Sequence, residues 1–292
     1  MTESISIVIP ARNEASNLQD LLPRLMETMR SVEVIVVDDG STDHTATVCA
    51  EHNVRLISHP YGIGNGAAVK TGARSASGDI LVLMDADAQH EPEQIPRLLE
   101  LMNDGFDMIV GARANTSHAN GFRALANNSY NLLASLITNR RIRDLTSGFR
   151  AVRAAKFKEF LHLLPNGFSY PATITMAFLR SGYSVGYLPI SVGKRAGKSH
   201  IRPVRDGVRF LLIIFKVGTL YSPLKVFAPV SAFFFLTGFS YYLYTYMTEG
   251  RFSRMSALVL ACSVLILLIG LISEQITALL YAVSSKANTD RR

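Results

Sequence analysis

Residues 32–43 read VEVIVVDDGSTD, a β-branched run from Val32 to Val37 that stops on Asp38, Asp39 and Gly40. β-Branched side chains suit a strand, and an acidic, glycine-containing turn ends it. The same rhythm recurs on both sides. Ile5–Pro10 is a short apolar run followed by Glu14–Arg30, which has helical period. Val54–Ser58, Ile80–Met84 and Met108–Val110 are further short runs, each preceded by a segment of helical character. This alternation predicts an α/β domain with a mainly parallel sheet and helices on both faces.

In such sheets ligands bind beyond the carboxyl ends of the strands. Here those ends read Pro10-Ala11-Arg12-Asn13-Glu14, Asp38-Asp39-Gly40-Ser41-Thr42-Asp43 and Asp85-Ala86-Asp87-Ala88-Gln89-His90. Asp85 and Asp87, as residues i and i+2, can face one point. Two carboxylates and the Gln89 amide are hard oxygen donors suited to Mg²⁺ or Mn²⁺, which complete their shells with water and substrate phosphate. Taken singly, Asp38, Asp39, Asp85 and Asp87 also suit helix caps. Three polar clusters in register favour one ligand crevice. Two glycine-rich stretches are decoys. Ala67 stands where a dinucleotide loop beginning at Gly62 needs glycine, and Val69 and Val192 break the two phosphate-loop patterns ending at Thr71 and Ser199. Gly64 and Gly66 are expected instead to let a helix N-terminus approach a ligand's phosphates or sugar.

The chain has 292 residues, 48% hydrophobic and 18% charged, with mean hydropathy +0.20. Soluble domains carry about 25% charged residues, so this composition argues against disorder and against a purely soluble protein. Cys49 and Cys262 are too few for a disulfide framework or a multi-cysteine zinc site. The net charge of +7 is localised: residues 1–193 carry −2, 194–225 carry +7, and 226–292 carry +2. The basic stretch holds Lys194, Arg195, Lys198, Arg202, Arg205, Arg209, Lys216 and Lys225 against Asp206. A basic excess often marks nucleic-acid binding. Two long apolar runs directly after this stretch favour a membrane and no nucleic acid.

Val226–Thr248 is uncharged, and Met255–Ser285 contains a single charge, Glu274. Each run is long enough to cross a bilayer, which needs about 20 residues. Buried core helices are the alternative, but Phe233-Phe234-Phe235 and Val264–Ile269 leave no polar face. Tyr241, Tyr242, Tyr244 and Tyr246 make an aromatic belt. Positive charge before the first span and at Lys286, Arg291 and Arg292 predicts that the α/β domain and both termini are cytoplasmic. MTESISIVIP at the N-terminus has no signal-peptide pattern. Pro203–Lys216 carries an imperfect apolar face, which suggests a helix lying in the membrane interface, with a plain linker helix as the alternative. The expected layout is an α/β domain over 1–200, an interfacial amphipathic helix within 201–222, a two-helix transmembrane hairpin over 223–285 (spans about 224–248 and 255–280), and a tail over 286–292.

The motifs IPARNEASNL (Ile9–Leu18), VVDDGSTD (Val36–Asp43), GNGAAVKTG (Gly64–Gly72), LMDADAQHEPE (Leu83–Glu93), GAR (Gly111–Arg113), DLTSGFRA (Asp144–Ala151) and RAGKS (Arg195–Ser199) occur in that order. In these the chain resembles the family-2 inverting glycosyltransferases of the GT-A fold. Within them it is similar to the polyprenyl-phosphate glycosyltransferases, the dolichol-phosphate mannose synthase group and its bacterial relatives. The resemblance covers roughly residues 5–202, and the hairpin is a second agreement. It implies a nucleotide-sugar donor (UDP- or GDP-hexose), a divalent metal, a polyprenyl phosphate acceptor and inversion. A homo-oligomer stays open.

The resemblance also implies residue roles. Pro10, Ala11, Asn13, Glu14, Asp38, Gly66, Asp85 and Ala86 match the nucleotide-sugar site, and Asp39 matches a carboxylate that meets the base. Asp85, Asp87 and Gln89 match the metal-binding D-x-D-x-Q, with Asp87 also catalytic. Arg113, Arg123 and Arg195 match basic residues that hold phosphates, with Lys198 and Ser199 beside them. Where the family often has Tyr before Asn-Glu, this chain has Ala11-Arg12. It contains no Trp, which excludes the Q-x-x-R-W motif of processive synthases. A phosphate acceptor is already an anion and needs no general base. For a hydroxyl acceptor, the alternative, Asp144 is the natural base; otherwise Asp144 is a loop carboxylate paired with Arg143 or Arg150. A catalytically inert membrane scaffold is a further alternative, against which the intact Asp85, Asp87 and Gln89 set stands.

Overall fold

The computed structural model describes residues 3–113, 121–167, 170–191, 212, 215, 218, 219 and 222–289. The chain divides into two units, one of Met1–Leu132 with Arg140–Asp206, the other of Leu133–Asn139 with Gly207–Arg292.

The first unit is built on a seven-stranded sheet. Its strands are β1 (Ile5–Ala11), β2 (Glu33–Asp38), β3 (Arg55–Ser58), β4 (Ile80–Leu83), β5 (Met108–Arg113), β6 (Arg150–Arg153) and β7 (Val185–Ile190). The helices are α1 (Ala15–Thr28), α2 (Thr45–Glu51), α3 (Asn65–Ser75), α4 (Ile95–Asn103), α5 (Gly121–Thr138), α6 (Ala154–Glu159) and α7 (Tyr170–Arg180). The strand order is β3-β2-β1-β4-β6-β5-β7. All pairings are parallel except those of β6, which runs antiparallel to β4 and β5. This is the mainly parallel α/β architecture that the apolar runs predict.

The core follows from strand sequences that are apolar on both faces, as covered parallel strands require. Ile7, Val8, Ile9, Val36, Val82 and Ile109 have no solvent exposure. α1 turns Leu18, Leu21, Leu22 and Leu25 inward at helical spacing. Each such side chain contributes about 2 kcal/mol on burial. Ala11 is in register with Asp38, and Val8 with Leu83. The polar ends of β2, β1 and β4 therefore lie side by side.

Two strands were not among those expected. β6 is four residues long and carries arginine at both ends, so it has no apolar run to read. β7 contains Pro189, which normally argues against a strand; β7 lies at the sheet edge, where proline is tolerated.

In the second unit α8 (Pro223–Glu249) and α9 (Arg254–Thr289) form an antiparallel hairpin. Gly250, at φ 66°, ends α8 in the left-handed conformation. The seam is made of small residues. Ser231 Oγ donates to Ser263 O (2.8 Å), a Cβ on Gly238 would lie 3.1 Å from Leu260, and one on Gly270 2.7 Å from Phe227 Cβ. The Glu274 carboxylate accepts the Leu224 N–H (3.2 Å), satisfying an orphan donor in the first turn of α8. Phe233, Leu236, Leu265 and Ile272 are exposed, the reverse of a soluble core helix. Both helices are long and apolar enough to cross a membrane. α9 continues to Thr289, so most of the expected tail over 286–292 is helical. The interfacial helix expected at Pro203–Lys216 lies outside the described residues, apart from Leu212 and Phe215, both exposed.

Candidate active site

The ends of β1 and β2 are laced together by short polar side chains. Asn13, at φ 56°, accepts the Thr42 N–H on Oδ1 (2.8 Å) and donates its own N–H to Ser41 Oγ (2.9 Å). Asp38, buried, accepts the Ser41 N–H (2.9 Å). Asp43 accepts the first amides of two helices, Ala15 of α1 (3.1 Å) and Thr45 of α2 (3.1 Å). Glu14 takes the Asn17 amide (2.5 Å) and gives its N–H to Thr45 Oγ1 (3.2 Å). Pro10 and Ala11 are buried in β1.

Asp39 is only 4% exposed and both its oxygens are engaged. Oδ1 accepts the Ile63 N–H (2.9 Å) and faces His59 Nδ1 (2.8 Å); Oδ2 accepts the Gly64 N–H (2.8 Å). His59 Nε2 lies 2.9 Å from Thr71 Oγ1 on α3. Burial opposes the charge of Asp39, but His59 and the two amides outweigh it and hold the carboxyl below its usual range.

The glycines at the start of α3 serve the protein's own chain. A Cβ on Gly64 would lie 2.4 Å from Asn166 O, and one on Gly66 2.1 Å from Pro165 O. The Ala67 N–H donates to Asn166 O (3.1 Å), and Lys70 Nζ donates to Leu164 O (3.0 Å) and Asn166 Oδ1 (2.5 Å). The turn Pro165–Gly167 thus fills the space that the sequence reading gives to a ligand's phosphates or sugar.

Beyond β4, Asp85 and Asp87 are partly exposed and Ala86 between them is buried, so both carboxylates leave the core on one side. Asp85 Oδ1 accepts from Asn65 Nδ2 (3.3 Å). Its Oδ2 sits 2.3 Å from where a Cβ on Gly148 would be. Asp87 Oδ1 accepts the Gln89 N–H (3.3 Å), and Ala88 takes φ 55° to close that turn. Among the described residues no group of three His, Cys, Asp or Glu gathers as a metal cluster. Two carboxylates and one amide oxygen, partly open to solvent, nevertheless fit a hard divalent cation that keeps water and phosphate ligands.

His90 is buried and stacks on Phe149 with centroids 5.0 Å apart and planes at 13°. Burial pushes its pKa down to about 4, with Asp87 opposing, so it is neutral near pH 7. Its electrostatic neighbours are Asp87, Arg113 and Asp144, which brings the metal candidate and the ion pair around one ring.

Arg113, at the end of β5, grips Asp144 with two bonds, Nε to Oδ2 (2.8 Å) and Nη2 to Oδ1 (2.9 Å). The Arg113 N–H also donates to Oδ2 (3.2 Å), and Nη2 donates to Thr146 Oγ1 (2.5 Å). Nη1 takes no part in these bonds. Burial opposes the Asp144 charge, but Arg113 and the amides of Arg113 and Thr146 hold the carboxyl below its usual range. The partner of Asp144 is therefore Arg113, not Arg143 or Arg150.

Arg150 is fully buried in β6. It donates to Pro171 O (3.3 Å), Thr175 Oγ1 (3.2 Å) and Ser147 O, fixing the Ser147–Gly148 turn behind Asp85. Sequence reasoning placed no site role on Gly148, Phe149 or His90. The glycine of DLTSGFRA was the available signal, since a glycine beside acidic motifs often marks a close approach. Arg123 lies in α5. Arg195, Lys198 and Ser199 lie outside the described residues.

Residues 6–161, more than half of the chain, match the glycosyl transferase family 2 model, and the chain belongs to that family. Residues 222–279 match the GtrB C-terminal hairpin, which agrees with α8 and α9 and makes this a membrane member of the family. A dolichol-phosphate mannosyltransferase of Pyrococcus furiosus is 34% identical over 213 residues, covering 68% of this chain and 59% of that one. An undecaprenyl-phosphate 4-deoxy-4-formamido-L-arabinose transferase of Pectobacterium carotovorum is 33% identical over 172 residues, covering 55% and 52%. The chain thus spans between half and three-fifths of the length of these relatives. Glucosyl-3-phosphoglycerate synthase of Mycobacterium tuberculosis, solved with Mn²⁺, UDP-glucose and phosphoglyceric acid, shares the fold with TM-score 0.61 at 20% identity, over 74% of this chain and 80% of that one.

Proposed function

We propose that the protein transfers one sugar from a nucleotide-sugar, a UDP- or GDP-hexose, to polyprenyl phosphate at the cytoplasmic membrane face. The observation that carries the acceptor assignment is the grip of Arg113 on both oxygens of Asp144. A carboxylate held below its usual range by a bidentate arginine is a poor general base. A phosphate monoester needs none. Its oxygen attacks the anomeric carbon, the bond from that carbon to the nucleoside diphosphate breaks, and the configuration inverts. Arginine is suited to holding an acceptor phosphate in line, which is the role proposed for Arg113, Arg123 and Arg195, with Lys198 and Ser199.

Asp85, Asp87 and Gln89 would hold Mg²⁺ or Mn²⁺, which when bound neutralises charge on the departing diphosphate. The relatives named for dolichol phosphate and undecaprenyl phosphate support a polyprenyl carrier. The hairpin and the basic stretch before it support a catalytic unit working against the anionic leaflet, with both termini cytoplasmic.

The test is a panel of radiolabelled UDP- and GDP-sugars with undecaprenyl phosphate in detergent. The expected product is an acid-labile polyprenyl-phosphate sugar of inverted configuration. Transfer to free polyprenol at an equal rate would overturn the acceptor assignment.

A further inference from the structure

We propose that the stacked rings of His90 and Phe149 are positioning residues that set the separation of Asp85, Asp87 and Gln89 from Arg113, and so the alignment of donor with acceptor. This rests on the proposed use of the acidic set for the donor diphosphate and of Arg113 for the acceptor phosphate. The topology creates the need for such a spacer. The acidic set follows β4, and Arg113 ends β5. β6 lies between these strands, so the two groups stand two strand spacings apart, about 10 Å. β6 is antiparallel to both, and Arg150 is in register with Leu83 and with Val110. The residue before it, Phe149, therefore arrives at the carboxyl ends of β4 and β5, in the gap that the reaction must span.

Phe149 has a contact on each side of that gap. Toward β5, its carbonyl accepts the Gly111 N–H (2.9 Å), and a Cβ on Gly111 would fall 2.8 Å from its ring carbon Cδ1. Gly111 stands two residues before Arg113 on the same strand. Toward β4, the ring stacks on His90, which directly follows Gln89. Gly148, the residue before Phe149, lies against the Asp85 carboxylate. Phe149 has no solvent exposure and His90 is 6% exposed. Close-packed groups of this kind pass a displacement on rather than absorb it.

What His90 contributes is its flat face. Its Nδ1 is buried and has no hydrogen-bond partner among the described residues, whereas the stack has the near-parallel geometry that aromatic rings favour. Loosening the stack lets the acidic set and Arg113 shift relative to each other while each keeps its own ligands. In-line displacement depends on that alignment, and the affinity for either substrate does not. The loss therefore falls on kcat and spares both KM values.

The experiment measures initial rates of the full chain in detergent, with Mn²⁺, undecaprenyl phosphate and the UDP- or GDP-sugar that the wild type uses. His90→Leu fills the space without stacking and is expected to lower kcat about 30-fold, with both KM values within about 2-fold of the wild type. Gly111→Ala drives a methyl group into the Phe149 ring from the other side and is expected to show the same split, which carries the test even where His90→Leu does not fold. His90→Phe restores a flat ring without nitrogens and is expected to recover kcat to within about 3-fold of the wild type. Calorimetric titration of each variant with UDP or GDP in the presence of Mn²⁺ is expected to match the wild type. A His90→Phe as slow as His90→Leu overturns the inference and assigns the imidazole nitrogens a direct contact. A loss that appears in either KM, or loss of nucleotide binding in both His90→Leu and Gly111→Ala, overturns it as well and makes the stack a support of one site or of the fold. A wild type that transfers no sugar to undecaprenyl phosphate overturns the acceptor reading on which the inference rests.

Discussion

Arg113 Nε and Nη2 meet Asp144 Oδ2 and Oδ1 at 2.8 and 2.9 Å, a two-pronged ion pair between the end of β5 and the loop before β6. The acid cannot leave that pair to take a proton without releasing the guanidinium proposed to hold the acceptor phosphate.

Asp144→Asn keeps one acceptor for Arg113 and should retain most of the transfer activity, while Asp144→Ala should fall as far as Arg113→Ala. Initial rates with polyprenyl phosphate decide this. Equal loss in Asn and Ala variants would assign Asp144 a proton-transfer duty and favour a hydroxyl acceptor.

The same pair sets a pH dependence. The folded-state pKa of Asp144 is depressed, so its stabilisation is complete above the ordinary carboxylate pKa, about 4, and is lost as pH falls through the folded value. The pair is worth about 1–2 kcal/mol, less than a fully buried one because the Arg113 side chain is 35% exposed. Thermal melts should show a constant gap between wild type and Asp144→Asn from pH 5 to 8, closing below about pH 4. A gap that widens toward acid pH would contradict the assignment.

Asp87→Ala should reduce turnover about 100-fold or more and leave the melting temperature near that of the wild type, because the change removes a proposed metal ligand at a partly exposed position. Excess EDTA should do the same to the wild type, reversed by Mn²⁺. Full activity in EDTA would remove the metal from the proposal.

Gly148→Ala tests how Asp85 is held. The added Cβ would lie 2.3 Å from Asp85 Oδ2, and that carboxylate is short and cannot swing far. The expected result is a Mn²⁺ requirement raised about 10-fold at unchanged expression and helicity. An unchanged Mn²⁺ dependence would mean that Asp85 is not a ligand.

Replacing Arg202, Arg205 and Arg209 by Gln should raise the apparent KM for lipid acceptor more than that for the nucleotide-sugar. Each basic residue near an anionic leaflet contributes about 1 kcal/mol of attraction, and the soluble donor gains nothing from it. Equal rises in both KM values would assign these arginines to the fold or the donor site.

The sequence is legible where its signals are local. β1, β2, β4 and the hairpin announce themselves through uninterrupted apolar runs, and the proposed metal ligands Asp85, Asp87 and Gln89 are picked out by spacing. β6 is not legible: Arg150 is fully buried, and only its sheet neighbours and the acceptors on α7 make a charged residue a core residue. The glycines of α3 stand out in the sequence, but their neighbour does not. Nothing near Gly64 in the chain says that Asn166, about a hundred residues later, will lie against it. The motif around Asp39 suggests a contact with the base, whereas its burial depends on where Ile63 and Gly64 fold back.

β6 has a consequence for timing. It stands between β4 and β5 in the sheet but comes after both in the chain, and the turn Pro165–Gly167 that seats α3 comes later still. As the polypeptide leaves the ribosome, at about 5–20 residues per second, Asp85 and Asp87 emerge well before Gly148 and Phe149. A half-made chain therefore holds the acidic residues without the supports that Gly148 and Phe149 give them. The site's acidic residues are fully seated only once the chain has come as far as β6 and the turn behind α3, so the order of synthesis places the supports last.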